Sequence, residues 1–116
     1  ADSLRLYLES IARMRALPAD TLVLPSHGRP FRGLHTRVGQ LEDHHRDRCA
    51  DVLEACRDTP ETAASMLKVL FRRTLDLHQT TFAMGESIAH LNMLWHDGRM
   101  TRERGEDGML RFRTRA

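Results

Sequence analysis

A four-residue apolar run, Thr21-Leu22-Val23-Leu24, closed by Pro25, constrains this chain more than any other feature. It is β-branched at two of its four positions and too short for a helix, so it predicts a buried strand. The other strand signals lie far away. Met100-Thr101-Arg102-Glu103-Arg104 and Met109-Leu110-Arg111-Phe112-Arg113 flank the turn Gly105-Glu106-Asp107-Gly108 and predict a β-hairpin. A lone buried strand would leave its backbone groups unpaired, which is costly. The first third is therefore expected to belong to a sheet whose other strands are not in this chain, making the chain the C-terminal part of a larger protein.

The remaining patterns are helical. Leu4, Leu8, Ile11 and Met14 follow helical spacing over 3–17, with Asp2 or Ser3 as cap and Pro18 just past the end. Residues 34–57 form the longest pattern, with Val38, Leu41, His45, Cys49, Val52, Leu53 and Cys56 on one face. Thr59-Pro60-Glu61 resembles a helix start, with Ala63, Ala64, Leu67 and Leu70 directed inward and an end near Phe71. A further helix is predicted over 79–96, with Gly98 as its C′ residue. Helix, connector, helix, hairpin is the order of a winged helix. The expected fold class is α+β, mostly α: a helix and strand over 1–33, a connecting long helix over 34–58, and a winged-helix-like domain with a hairpin wing over 59–116.

Composition excludes several function classes. With 41% hydrophobic and 29% charged residues and no apolar run near the roughly 20 residues a membrane helix needs, no membrane span is expected. The chain's start lacks a signal-peptide pattern, so the default compartment is the cytoplasm. Cys49 and Cys56 are too few for a disulfide scaffold; seven residues apart on one helix, they lie beyond bridging distance and are expected as buried thiols. Net charge is only +2, and residues 98–116 are the distinctly basic block at +3. Residues 82–97 contain no Lys or Arg, which argues against a major-groove recognition helix. Arg99, Arg102, Arg104, Arg111 and Arg113 could still grip phosphates, so nucleic acid is an unfavoured alternative partner, beside a purely structural interaction module.

The helix over 3–17, the strand and then Leu24-Pro25-Ser26-His27-Gly28-Arg29-Pro30 resemble the last strand and final metal-ligand loop of the metallo-β-lactamase-fold hydrolases. The run Phe82-Ala83-Met84-Gly85-Glu86-Ser87-Ile88-Ala89-His90-Leu91, followed by Gly98-Arg99, is similar to a subgroup with a winged-helix-like C-terminal domain. The resemblance implies an αββα parent domain and a bacterial-type, binuclear metal-dependent hydrolase of an ester, thioester or related small molecule. Two metals, usually zinc with iron or manganese as alternatives, bind a bridging water and bring hydroxide into reach near neutral pH. His27 matches the family's last metal-binding histidine. The His-x-His-x-Asp-His signature is absent, so no catalytic residue is assigned within this chain and the chain alone is expected to be inactive. The unpartnered helix and strand could make it a homodimer.

The other histidines read as structural. His45 lies on the apolar stripe and is expected as a hydrogen-bonded core residue; His44 with Arg48 belongs to a solvated face. His35 and Arg37, just past the loop, favour capping or surface roles over substrate contact. Glu86 and His90 are i, i+4 on one helix, a stabilising pair rather than a metal site without a third ligand. His78 and His96 carry no signal. Trp95 is expected as a core anchor, and the methionines as flexible core filling.

Overall fold

The structure is a computed structural model that describes residues 2–116. Helix α1 spans Ser3–Arg13 and tightens into a 3-10 turn, Met14–Ala16. Asp2 is its cap: the Asp2 carboxylate accepts from the Arg5 backbone N–H. Helix α2 spans Leu34–Ala55, α3 is the single turn Leu67–Leu70, and α4 spans Leu77–His96. Strands β1, Met100–Arg104, and β2, Leu110–Thr114, form an antiparallel pair with Arg102 opposite Phe112. The result is a mostly helical α+β chain with a two-stranded sheet.

Helix α2 carries the expected face. Val38, Cys49, Val52, Leu53 and Cys56 are buried, and Leu41 and His45 are half-buried. They pack on Met66, Leu70, Leu91, Met93, Leu94, Met100 and Phe112. Among the described residues, Leu4 is the one member of this core drawn from residues before α2. Cys49 and Cys56 are free, buried thiols, as their spacing requires. No helix of the described residues is long and apolar enough to cross a membrane.

Two expectations require correction. The run at 21–24 is not a buried strand. Val23 makes an isolated antiparallel bridge with Phe31, while Leu22 and Leu24 are 50% and 74% exposed. Its partner is therefore within the same chain, eight residues on, and the ladder does not extend toward the loop, where Pro25, the next position that would donate, has no N–H.

Thr59-Pro60-Glu61 does not start a helix. The Glu61 N–H and carbonyl exchange hydrogen bonds with Phe112 at 2.9 and 2.8 Å, so Glu61 flanks β2 on the side away from β1. A turn begins at Thr62 instead, ahead of α3, whose cap residue Met66 makes no side-chain capping bond. The Thr62 hydroxyl accepts from the Ser65 N–H at 3.1 Å, and the Ser65 hydroxyl accepts from the Thr62 N–H at 3.0 Å. Sequence spacing alone could not show that Phe112 claims Glu61. Of the side chains expected inward, Leu70 is buried and Ala64 is exposed; Met66 takes a buried place.

Helix α4 begins two residues before its predicted start. Asp76 and Gln79 form a reciprocal capping box. At the other end, Gly98 donates to the Trp95 carbonyl and Arg99 to the Leu94 carbonyl, each at 3.0 Å. That double bond pattern with Gly98 at φ 75° is a Schellman ending. Ser87, fully buried, donates to the Ala63 carbonyl at 2.7 Å and ties α4 to the turn before α3.

Candidate metal-ligand loop and histidine cluster

The loop around His27 is clamped at its base. The backbones of Val23 and Phe31 exchange hydrogen bonds of 2.8 and 3.0 Å, which close the segment between them. The His35 ring nitrogen Nε2 meets the Leu17 carbonyl at 2.8 Å, so the first turn of α2 also holds the segment just before the loop. Gly28, at φ 96°, takes a left-handed conformation that a side chain would strain. His27 stands exposed within this clamped segment.

His27 has no gathered ligand set around it. Among the described residues, no group of three or more His, Cys, Asp or Glu is placed to hold a metal ion. The donor residues present therefore do not make a complete metal centre, and this chain can contribute at most part of one.

The remaining titratable side chains are drawn into the body of the fold. His45 Nδ1 lies 3.4 Å from His90 Nε2 across the α2–α4 contact. The His90 Nδ1 hydrogen-bonds the Glu86 backbone carbonyl at 2.6 Å, so the i, i+4 relation is realised through the main chain rather than through the Glu86 carboxylate. Burial lowers the pKa of both imidazoles below the ordinary histidine value, and in His45 the neighbouring His90 adds to the effect. Tyr7 and His44 each stand edge-on to His45. A 380 Å³ cavity between α1, α2 and α4 is lined by Leu8, His45, Cys49, Met93 and Arg99 among others. The burial of Ser87 and His90 was not legible beforehand, because a polar residue inside an apolar period carries no sign of its partner.

Burial also raises the Cys49 thiol pKa, an effect that nearby Arg99 opposes. It pushes Cys56 up to about 11, with Glu61 adding to the shift. Neither thiol is poised as a nucleophile. Trp95 is half-buried against the core, and Arg102 lies over its ring, 3.5 Å from the centroid.

Several hairpin arginines are already engaged within the chain. Arg111 pairs with Asp107 at 2.8 Å, Arg104 donates to the Gly108 carbonyl, and Arg102 covers Trp95. This subtracts from the phosphate-gripping surface that the basic block at 98–116 suggested.

The family described as "Metallo-beta-lactamase-like, C-terminal domain" matches residues 49–115. No curated protein matches the chain. Among solved structures, the chain is similar to a beta-lactamase domain protein from Burkholderia ambifaria, with 51% identity and a TM-score of 0.96 over 99% of this chain and 34% of that one. It is also similar to a metallo-beta-lactamase family protein from Thermus thermophilus, with 29% identity and a TM-score of 0.81 over 98% of this chain and 34% of that one. The chain thus spans about a third of the length of the solved structures it matches.

Proposed function

The chain belongs to the family of metallo-β-lactamase-like C-terminal domains, and from that premise we propose that it acts as the C-terminal part of a metal-dependent hydrolase. In this proposal His27 supplies one ligand to a binuclear, zinc-type centre. The other ligands, the catalytic groups and most of the substrate pocket come from parts of the protein outside this chain. The substrate class is a small ester, thioester or related molecule, and the chain by itself is inactive.

The observation that carries the proposal is the clamped loop. A metal-ligating imidazole must be aimed before the metal arrives, and a fixed loop base supplies that aim. The Val23–Phe31 bridge and the His35–Leu17 contact hold the chain on either side of His27, while the imidazole stays exposed. The described residues do not complete a metal centre, so in this proposal hydrolysis needs ligands from outside this chain.

We assign residues 1–33 to the hydrolase domain, 34–58 to the connecting helix and 59–116 to a winged-helix-like domain. The order of the Glu61 edge, the 62–70 turn, α4 and the hairpin supports the last assignment. Its role in this scheme is to wall the cleft or mediate association. Its packing against α1 through Leu4, and the pairing of Arg5 with Asp97, support a fixed placement beside the hydrolase segment.

The test is elemental analysis of a longer protein that carries this chain and its native upstream sequence, with and without His27→Ala. About two metal ions per chain, with one lost or weakened in the variant, is the expected result for a two-metal site. Equal metal content in a folded variant would overturn the role of His27.

A further inference from the structure

His45 and His90 take no part in the proposed metal chemistry, yet they form a polar contact inside the α2–α4 interface. His45 is half-buried and His90 is only 3% exposed. The direction of their hydrogen bond follows from the second nitrogen of His90. Its Nδ1 faces the Glu86 carbonyl oxygen, which can only accept, so Nδ1 carries the proton. In neutral His90 the Nε2 atom is then a lone-pair acceptor, and His45 Nδ1 must be the donor.

This arrangement holds one extra proton but not two. The first can sit on His45 Nε2 and leaves the Nδ1–H donation to His90 intact. A second proton, on His90 Nε2, removes the acceptor and sets two N–H groups face to face between two cationic rings. We propose that the His45–His90 contact is an acid-sensitive latch between α2 and α4, closed while His90 keeps a bare Nε2 and opened when both rings are protonated.

The surroundings favour the closed state near neutral pH. Burial opposes charge on both rings. From α2, Arg48 acts in the same direction on His90. From α4, Glu86 acts the other way, and from α1 the group present is the Tyr7 ring. Glu42, Arg46, Asp97 and Arg99 line the cavity onto which His45 opens, and the cavity gives a proton a route to it. Opening would loosen the helix that joins the His27 segment to the helix–hairpin body.

The sign follows from linkage. In the unfolded chain both histidines titrate near 6.5. In the folded chain their pKa values are lowered, so the unfolded state binds more protons below that pH. Stability from the latch is complete above about pH 6.5 and declines as the pH falls through and below it. Asp107, held at about 2 by Arg111, and Glu42, lowered by Arg15, act at more acidic pH.

Two measurements on the chain test this. Urea unfolding between pH 7.5 and 5 is expected to show the unfolding constant rising by up to tenfold per pH unit for each proton taken up. His45→Gln keeps an N–H donor but cannot be protonated, and its pH response is expected to be flatter than that of wild type. NMR titration of the imidazole C–H signals in wild type is expected to show His45 protonating first and His90 staying neutral until the fold loosens. His90 titrating near 6.5 in a folded chain of unchanged stability would overturn the latch, as would a wild-type pH slope in His45→Gln. Should His45→Gln not fold at pH 7.5, the wild-type titration decides.

Discussion

A buried thiol and an exposed imidazole show how position overrides intrinsic chemistry in this chain. Cys56 is fully buried, its Sγ lies 3.8 Å from the Met66 sulfur, and its pKa is about 11. Reaction with a disulfide reagent needs a thiolate that the reagent can reach, and Cys56 meets neither condition. Cys49 is likewise buried, with its pKa raised. At pH 8 the folded chain is therefore expected to leave both cysteines unlabelled over the time in which a free thiol reacts fully. Two labels per chain should appear in denaturant. Rapid labelling of either thiol under native conditions would mean that the α2 face opens far more readily than its packing indicates. His27 is the opposite case, an ordinary side chain in a solvent-facing loop whose proposed value lies only in where it is held.

Helix α4 separates two uses of glycine, and the difference is measurable. Gly98 sits at φ 75°, where a side chain strains the backbone, and it closes the helix with the Schellman bonds. Gly85 lies inside α4 on an exposed face, and an added Cβ there would meet nothing within 4 Å. Gly85→Ala is expected to raise stability by about 0.5–1 kcal/mol through helix propensity. Gly98→Ala should lower it by about 1 kcal/mol. Chemical denaturation of the two variants checks both signs. The C′ role of Gly98 was legible from sequence because it rests on local chemistry, as do the Asp2 cap and the hairpin turn. The α2 face was legible because period 3.6 marks burial without knowledge of the partner. The edge position of Glu61, the turn that begins at Thr62 and the pairing of Val23 with Phe31 were not. Each depends on which backbone group a distant or folded-back segment offers. The same limit applied to the site: His27 could be singled out by its motif, whereas the His45–His90 contact joins residues 45 apart and has no local signature.

Across the whole molecule, the chain is elongated, with extents of 53 × 33 × 22 Å. The radius of gyration is 16.3 Å, against about 13 Å for a compact domain of this length. Leu6, Leu22 and Leu24 are 64%, 50% and 74% exposed, and Leu17 and Met14 add to the apolar surface of the first third. Exposed apolar area of this kind marks an interface. In a longer protein the proposed hydrolase domain would cover it. In the isolated chain a second copy is the available cover, since a twofold contact brings the same patch from each chain together. Sedimentation is therefore expected to show mass rising with concentration for the 116-residue chain. Leu22→Ser with Leu24→Ser should return the monomer mass without weakening the core, because neither side chain belongs to it. Apolar contacts do not fade with salt as ion pairs do, so association should persist when ionic strength is raised. A wild-type mass that stays monomeric at every concentration would show that these leucines are not a sufficient driving force. Association abolished by salt would instead shift the contact to the arginines of the hairpin.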